Sequence, residues 1–176
     1  MAEIRLTWWR EALDEVYDHR PVRHHPTAEA LAGAVRRHGV AREPLEAMID
    51  GQIEALELST FDEPAAVAWA DAVEGSAAKV AAAMLDRAAP AEAAAPAGRA
   101  WGLALLLRAG LAPREIIAPP LRTALTEATA SARSLGVAAL PAALPATLAR
   151  ADLAGRRPGP LAQRLALVLA SATGRL

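Results

Sequence analysis

The pattern of apolar and polar positions at the start of the chain predicts an amphipathic helix from Arg5 to Tyr17. Apolar residues recur there at steps of three and four, which places them on one stripe of a helix. On the opposite face, Arg10 and Asp14 lie one turn apart and are predicted to pair. Because adjacent tryptophans bury a large apolar area, we expect this helix to be covered on more than one side. The stripe consists of Leu6, Trp9, Leu13 and Val16, flanked by Trp8 and Ala12.

Residues 18–26 are predicted to form a loop, because two prolines and several polar side chains fall there. The loop holds the three histidines His19, His24 and His25. A metal site is disfavoured, since no carboxylate or cysteine shares a helical spacing with them, and solvated loop histidines are expected. A second helix follows. Its predicted cap is Thr27, its end is near His38 before Gly39, and its core positions are Leu31 and Val35.

A third helix is predicted from Pro44 to about Glu57, since proline favours the first turn and apolar residues then recur at helical spacing. A fourth is predicted from Asp62, its cap, to about Arg87. Gly75 and Ser76 lie in the middle of that helix, where glycine is unfavourable, so a packing or kinking role is expected. The apolar face of the third helix comprises Leu45, Met48, Ile49, Ile53 and Leu56.

The second half of the chain continues with helical patterns separated by proline and glycine. Residues 88–98, which are mostly alanine and proline, are predicted to be a linker. The nearly uniformly apolar segment 98–110 is predicted to be a central helix that ends at Gly110. Pro119 and Pro120 are expected to separate a turn from a helix over 121–135. A short helix starts at Pro145, and a last one follows Pro160 with Leu161, Leu165, Val168 and Leu169 facing inward.

No sustained alternation of apolar and polar residues is present, so an all-α bundle of seven or eight helices is predicted. The 176 residues are expected to form a single domain, 1–176. No cysteine is present, which excludes disulfides and thiolate metal sites. With a net charge of −1 and dispersed arginines, nucleic acid is not expected as a partner. Early charges and short apolar runs predict a cytoplasmic chain without a signal peptide or a membrane span.

Three short motifs occur in order along the first 51 residues. They are Trp8-Trp9-Arg10-Glu11-Ala12-Leu13, then His25-Pro26 with Ala30-Leu31, and then Arg42-Glu43-Pro44-Leu45 with Met48-Ile49-Asp50-Gly51. This order and spacing resemble the squalene/phytoene synthase family. The resemblance implies the all-α isoprenoid-synthase fold. The first aspartate-rich helix of that family would lie before Met1, so we expect either a natural chain that starts upstream or a domain that lacks this N-terminal helix.

The resemblance also points to candidate site residues. Asp50 and Glu54 lie one turn apart, where they could bind Mg²⁺ or form a solvated edge, and Ala55 stands where the family's second aspartate would be placed. Arg108 stands at the arginine of the family motif whose aspartates hold the Mg²⁺ ions that grip a prenyl diphosphate. Residues 109–113 supply none of those aspartates. Because departure of a diphosphate needs metal ions and cations at the developing charge, Arg108 alone is not expected to sustain the reaction.

Three functions are therefore considered, and the first is preferred over the other two. The first is a catalytically degraded family member that acts as a binding or assembly factor without a cofactor. The segment from Leu144 to Arg150 resembles the non-catalytic branch that includes proteins assisting assembly of respiratory complex I. The second is an active Mg²⁺-dependent head-to-head prenyl transferase that uses Asp50, Glu54 and Arg108. The third is an alanine-rich helical domain that binds another protein.

The expected partners follow from the first of these functions. They are a prenyl or other lipid ligand and a protein partner in membrane-complex assembly, with a location at the periphery of the inner membrane as an option. Without its front helix the fold should expose an apolar groove, which a second copy of the chain or another partner would fill, and a homodimer is predicted on this ground.

Overall fold

Helices account for all the regular secondary structure in residues 2–176, the part of the chain that this computed structural model describes. The predicted all-α class is confirmed. The helices are α1 (Ala2–Tyr17), α2 (Pro26–His38), α3 (Arg42–Ala55), α4 (Glu63–Trp69), α5 (Ser76–Leu85), α6 (Ala95–Ala109), α7 (Arg114–Ser131), α8 (Pro145–Leu153) and α9 (Pro160–Thr173). A π-helical segment, Ala70–Gly75, joins α4 and α5 without a break. Among these helices, none combines the length and apolarity needed to cross a bilayer.

Helix α6 occupies the centre of the fold, where it packs against α7, α8 and the π-helical segment. It is apolar on most sides and ends at Gly110, whose φ of 68° is the left-handed conformation that glycine adopts readily, as predicted. The predicted linker over 88–98 is wrong in its second half. Residues 91–94 form a 3₁₀ turn, and α6 begins at Ala95. The segment is ordered because its small residues, such as Ala94 and Ala97, are buried against the rest of the protein.

Helix α6 packs closely against the π-helical segment through its glycines. A Cβ atom on Gly98 would lie 2.1 Å from the carbonyl oxygen of Glu74 and 2.8 Å from the Cα of Gly75. A Cβ atom on Gly102 would lie 2.9 Å from that of Ala70. These distances leave no room for any side chain, so the two helices touch backbone to backbone. A Cβ atom on Gly75 itself would make only ordinary contacts of 3.6 Å, so the close packing predicted for Gly75 depends on Gly98 and Gly102 of α6 instead.

The start of α7 differs from prediction. Helix α7 runs without interruption from Arg114 to Ser131 and contains Pro119 and Pro120, which were predicted to break it. The prolines fall in its second turn and remove two backbone hydrogen bonds, while burial of neighbouring residues such as Ile117 and Leu121 keeps the segment helical.

The last helix, α9, begins at Pro160 as predicted but presents the opposite face to the protein. Four of its apolar side chains were predicted to point inward, yet all four are exposed. The inner face consists of Ala170, which is buried, and three half-buried residues, Gln163, Ala166 and Leu167. The small residues Ala166 and Ala170 on the inner face allow α9 to lie close to α8, whereas Leu161, Leu165, Val168 and Leu169 face outward.

Helices α1, α2 and α3 form the front of the molecule. The predicted core positions of α2, Leu31 and Val35, are only half-buried, and its buried residues are Ala28 and Ala32. The apolar face of α3 is likewise only partly covered, and Leu56 is exposed. As a result, an open apolar groove of about 230 Å³ remains between the three helices, in the part of the fold where an apolar groove was expected. Its lining consists of Leu6, Trp9, Leu13, Leu31, Leu45, Met48, Ile49 and Gln52.

Candidate functional site

Arg108, the candidate diphosphate ligand, lies in the last turn of α6 and is bound to Asp152 of α8. Its Nε donates to Oδ1 at 2.8 Å and its Nη2 donates to Oδ2 at 2.6 Å. The Asp152 side chain is 8% exposed, so the pair is largely shielded from water on the carboxylate side. The guanidinium also lies over the ring of Trp101, 4.6 Å from its centroid. Arg108 is therefore held on two sides by the protein itself.

A second arginine reinforces this contact. Arg114, at the start of α7, donates from Nη1 to the backbone oxygen of Asp152 at 3.2 Å and from Nη2 to that of Leu153. The last carbonyl groups of a helix lack intrahelical partners and carry partial negative charge, which cations stabilise. Arg108 and Arg114 thus tie the end of α8 to α6 and α7. This clamp lines a small cavity of about 210 Å³, to which Arg156 and Arg157 also contribute.

Asp50, the first candidate metal ligand, forms an ion pair with Arg10 of α1. The predicted pair between Arg10 and Asp14 is not formed. Asp14 instead accepts a 2.5 Å hydrogen bond from Arg42, which also binds Glu46 at 2.6 Å. The reason is the position of α3, which packs against α1. It places Asp50 beside Arg10 and Arg42 beside Asp14, and these pairs form in place of the pair within α1.

The carboxylates present do not fit a Mg²⁺ centre. Asp50 and Glu54 are both exposed on α3, and one of the two is already neutralised by Arg10. Within residues 2–176, no group of three or more histidine, aspartate or glutamate side chains is arranged to hold a metal ion. Arg108 pairs with Asp152 of α8, whereas Asp50 of α3 pairs with Arg10 of α1. The three predicted site residues do not form one cluster of contacts.

The tryptophan pair of α1 belongs to a structural cluster. Arg23 lies over the ring of Trp8, 4.8 Å from its centroid, and donates to both carboxylate oxygens of Glu15 at 2.7–3.0 Å. These hydrogen bonds lower the pKa of Glu15 to about 2. His25 packs edge-on against Trp8 at 5.0 Å and accepts from the backbone N–H of Thr27, so it caps α2 in place of the predicted Thr27. His25 is therefore a packed capping residue and not a solvated one.

Sequence reasoning missed one titratable residue, Glu74, in the π-helical segment. Its side chain lines a cavity of about 230 Å³ together with Trp101, Ala77, Gly98 and residues of the 140–145 region. Burial raises the pKa of its carboxyl above the ordinary value. π-Helical turns within α-helices frequently occur at functional sites. The signal available in the sequence was the Gly75-Ser76 step, which marked the irregularity but not the acid beside it.

Comparison with known protein families identifies a match for the first part of the chain. Residues 1–112 match the family model described as squalene/phytoene synthase. The matched part covers more than half of the chain and includes the tryptophan helix α1, helix α3 and Arg108. Neither the curated proteins nor the solved structures give a match. Helices α7, α8 and α9 lie outside the matched residues.

Proposed function

Because this chain belongs to the squalene/phytoene synthase family, we propose that it is a catalytically degraded member that acts as a binding or assembly factor. The observation that carries the proposal is that two of the predicted site residues are already paired with charged residues of the same chain. Arg108 is bound to Asp152, and Asp50 is bound to Arg10. The helical scaffold is retained, while the residues expected to face a diphosphate serve as links between helices.

The chemistry of the family reaction explains why these ion pairs matter. Loss of a diphosphate requires positive charge directed at the departing oxygens. A guanidinium that already makes two hydrogen bonds to a buried carboxylate is electrically neutralised, and withdrawing it would leave Asp152 unpaired. The retained scaffold is therefore better suited to binding than to turnover. The proposed function needs no cofactor, and we propose no nucleic-acid partner.

A turnover assay tests this proposal. The purified chain is incubated with farnesyl diphosphate or geranylgeranyl diphosphate in the presence of Mg²⁺, and hydrocarbon products are extracted and quantified. We expect no squalene-type or phytoene-type product above a protein-free blank. Accumulation of either product would refute catalytic degradation.

The alternative is an active Mg²⁺-dependent head-to-head prenyl transferase, which family membership supports. In that case Asp50, Glu54 and Arg108 would be the remaining contacts to the metal and the diphosphate. Both ion pairs would have to open when substrate binds. This alternative predicts that Asp50→Ala abolishes turnover while Glu43→Ala, an exposed change on the same helix, leaves it intact. Equal activity of both variants would exclude a role for Asp50.

The front groove is the surface that we assign to binding, and a second copy of the chain is its proposed occupant. The groove lining is apolar except for Gln52. Arg10 and Asp50, next in sequence to the lining residues Trp9 and Ile49, already pair with each other, so the apolar lining is the surface that a second copy would cover. A prenyl or other lipid chain is the alternative occupant. In that case the groove would hold lipid and no second copy, so added farnesol would bind without dissociating a dimer.

We place this function in the cytoplasm, at the periphery of the inner membrane, as a factor that assists assembly of a membrane complex. What supports a membrane-side location is the outward-facing apolar surface of α9. The resemblance of the segment from Leu144 to Arg150 to non-catalytic family members supports the assembly role.

A further inference from the structure

We propose that α9 docks the protein onto the surface of an anionic lipid bilayer, with its apolar face in the headgroup region. The exposed fractions of Leu161, Leu165, Val168 and Leu169 are 81%, 57%, 62% and 54%. These four residues recur at steps of four, three and one, which places them on one side of the helix. Exposed apolar patches of this kind mark interaction surfaces, since scattered surface leucines do not align in this way.

The orientation of α9 is fixed by its opposite face. Ala170 is buried, and Gln163, Ala166 and Leu167 are half-buried on the side that meets the rest of the protein. The Gln163 side chain donates to the backbone oxygen of Pro158 at 2.9 Å, which anchors the start of the helix. The four large apolar residues are therefore presented outward by a helix whose other face is already in contact with the protein.

The charged side chains of α9 and of the segments that flank it are all basic. From residue 153 to residue 176 the chain contains four arginines and no aspartate or glutamate. The acidic residue nearest to this segment in the sequence, Asp152, is paired with Arg108. Arg164 lies one turn from both Leu161 and Val168, at one edge of the apolar face.

A groove of about 540 Å³ runs along the other edge of α9, between this helix and α8. Arg150, Arg156 and Arg157 line it, together with Ala162 and Ala166 of α9. Arginine pairs with phosphate through two parallel hydrogen bonds and tolerates partial desolvation. The apolar face is thus bordered by arginines on both sides, an arrangement suited to phospholipid headgroups on either side of a helix that lies in the interface.

Charge decides between a bilayer and a second copy of the chain. Two copies joined through α9 would bring their arginine-rich surfaces together without any carboxylate to offset them, and like charges at an interface are strongly unfavourable. An anionic bilayer satisfies the apolar face and the arginines at once. With 14 residues, α9 extends about 21 Å and is too short to span a bilayer, so it lies along the surface.

Vesicle binding by the full chain tests this inference. The vesicles are made of phosphatidylcholine alone or of equal parts of phosphatidylcholine and phosphatidylglycerol. We expect binding to the mixed vesicles only, weakening as salt is added because the arginine contribution is screened. Arg156→Gln/Arg157→Gln is expected to weaken binding by roughly tenfold or more, since each basic residue near the surface contributes appreciably. Leu165→Ser/Val168→Ser is expected to weaken it at least as much.

Matched control variants separate the site from general charge and apolarity. Arg36→Gln/Arg37→Gln removes the same charge from an exposed arginine pair in α2, and Leu56→Ser/Leu85→Ser removes exposed leucines elsewhere. Both controls should bind as the unaltered chain does. Absence of binding to mixed vesicles, or equal losses in the α9 variants and their controls, would overturn the inference. A dimer that only Leu165→Ser/Val168→Ser dissociates would overturn it as well, because a second copy would then cover α9.

This inference rests on the proposed membrane-side location. Vesicle binding and prenyl transfer are separate measurements, so the docking of α9 and the proposed loss of catalysis can fail independently.

Discussion

Arg108 and Asp152 form a two-point ion pair that joins the end of α6 to the end of α8, with hydrogen bonds of 2.8 and 2.6 Å. The two residues are 44 positions apart in the sequence. In this protein the arginine expected to meet a diphosphate contributes to the tertiary structure, and that difference can be measured as stability.

Removing Arg108 should destabilise the fold. Arg108→Ala leaves the nearly buried carboxylate of Asp152 without its partner, and we expect a loss of about 2–4 kcal/mol in the free energy of unfolding. The matched control is Arg10→Ala, which breaks the exposed pair with Asp50 and should cost less than about 1 kcal/mol. Urea unfolding at neutral pH measures both. Equal, small effects would mean that Arg108 is available for a ligand.

The glycine contact between α6 and the π-helical segment should tolerate no side chain. Gly98→Ala places a methyl group 2.1 Å from the backbone oxygen of Glu74, so the two helices must separate, and we expect a loss of roughly 3 kcal/mol or more. Gly33→Ala, in the interior of α2 with no atom within 4 Å of the added carbon, should stabilise by about 0.5–1 kcal/mol. Thermal unfolding compares the two. A neutral Gly98→Ala would contradict the backbone-to-backbone packing.

Glu74 should make stability depend on pH in a defined direction. Burial raises the pKa of this carboxyl above 4.5, so the folded protein retains the proton at pH values where the unfolded chain has lost it. The free energy of unfolding therefore falls as pH rises through this interval. Glu74→Gln, which carries no charge, should be more stable than the unaltered chain near about pH 7 and should lose that advantage below about pH 4.

Urea unfolding at both pH values checks this expectation, with the exposed Glu57→Gln as a control that should change little. A Glu74→Gln variant that is less stable than the unaltered chain at neutral pH would mean that the Glu74 carboxylate makes a favourable contact.

The front groove predicts a dimer in solution. Sedimentation equilibrium of the chain should show a dimer, and Met48→Glu should weaken it by at least about tenfold because a charge enters the apolar lining. Val137→Glu, at a fully exposed site outside the groove, is the control and should leave association unchanged. A monomeric chain, or a dimer unaffected by Met48→Glu, would exclude the groove as the interface.

The sequence predicted the class of structure and most helix limits because both depend on local chemistry. The N-cap at Asp62 and the C-terminal glycines Gly39 and Gly110 depend only on residues within one turn of the helix end, and all three are confirmed. Pro119 and Pro120 show the limit of such signals. Their local preference to end a helix is outweighed by burial of the residues around them in α7.

The partners of the charged residues could not be predicted, because they are set by tertiary contacts. Periodicity identified an apolar face on α9 but contains no information on whether that face meets the protein or another surface. Likewise, Arg10 had a partner one turn away in Asp14, and the crossing of α3 supplied Asp50 instead. The same holds for Arg108, whose partner Asp152 lies in α8, beyond residues 1–112 that match the family model.

A calorimetric titration with farnesyl diphosphate, performed once with Mg²⁺ and once with EDTA, tests the central claim most directly. If Arg108 and Asp50 are held within the protein and no metal site is formed, the heats of the two titrations should be the same, whether or not the prenyl chain binds the apolar groove. Saturable binding that requires Mg²⁺ would contradict the account, because it would mean that a metal and a diphosphate displace the ion pairs and that a catalytic site remains.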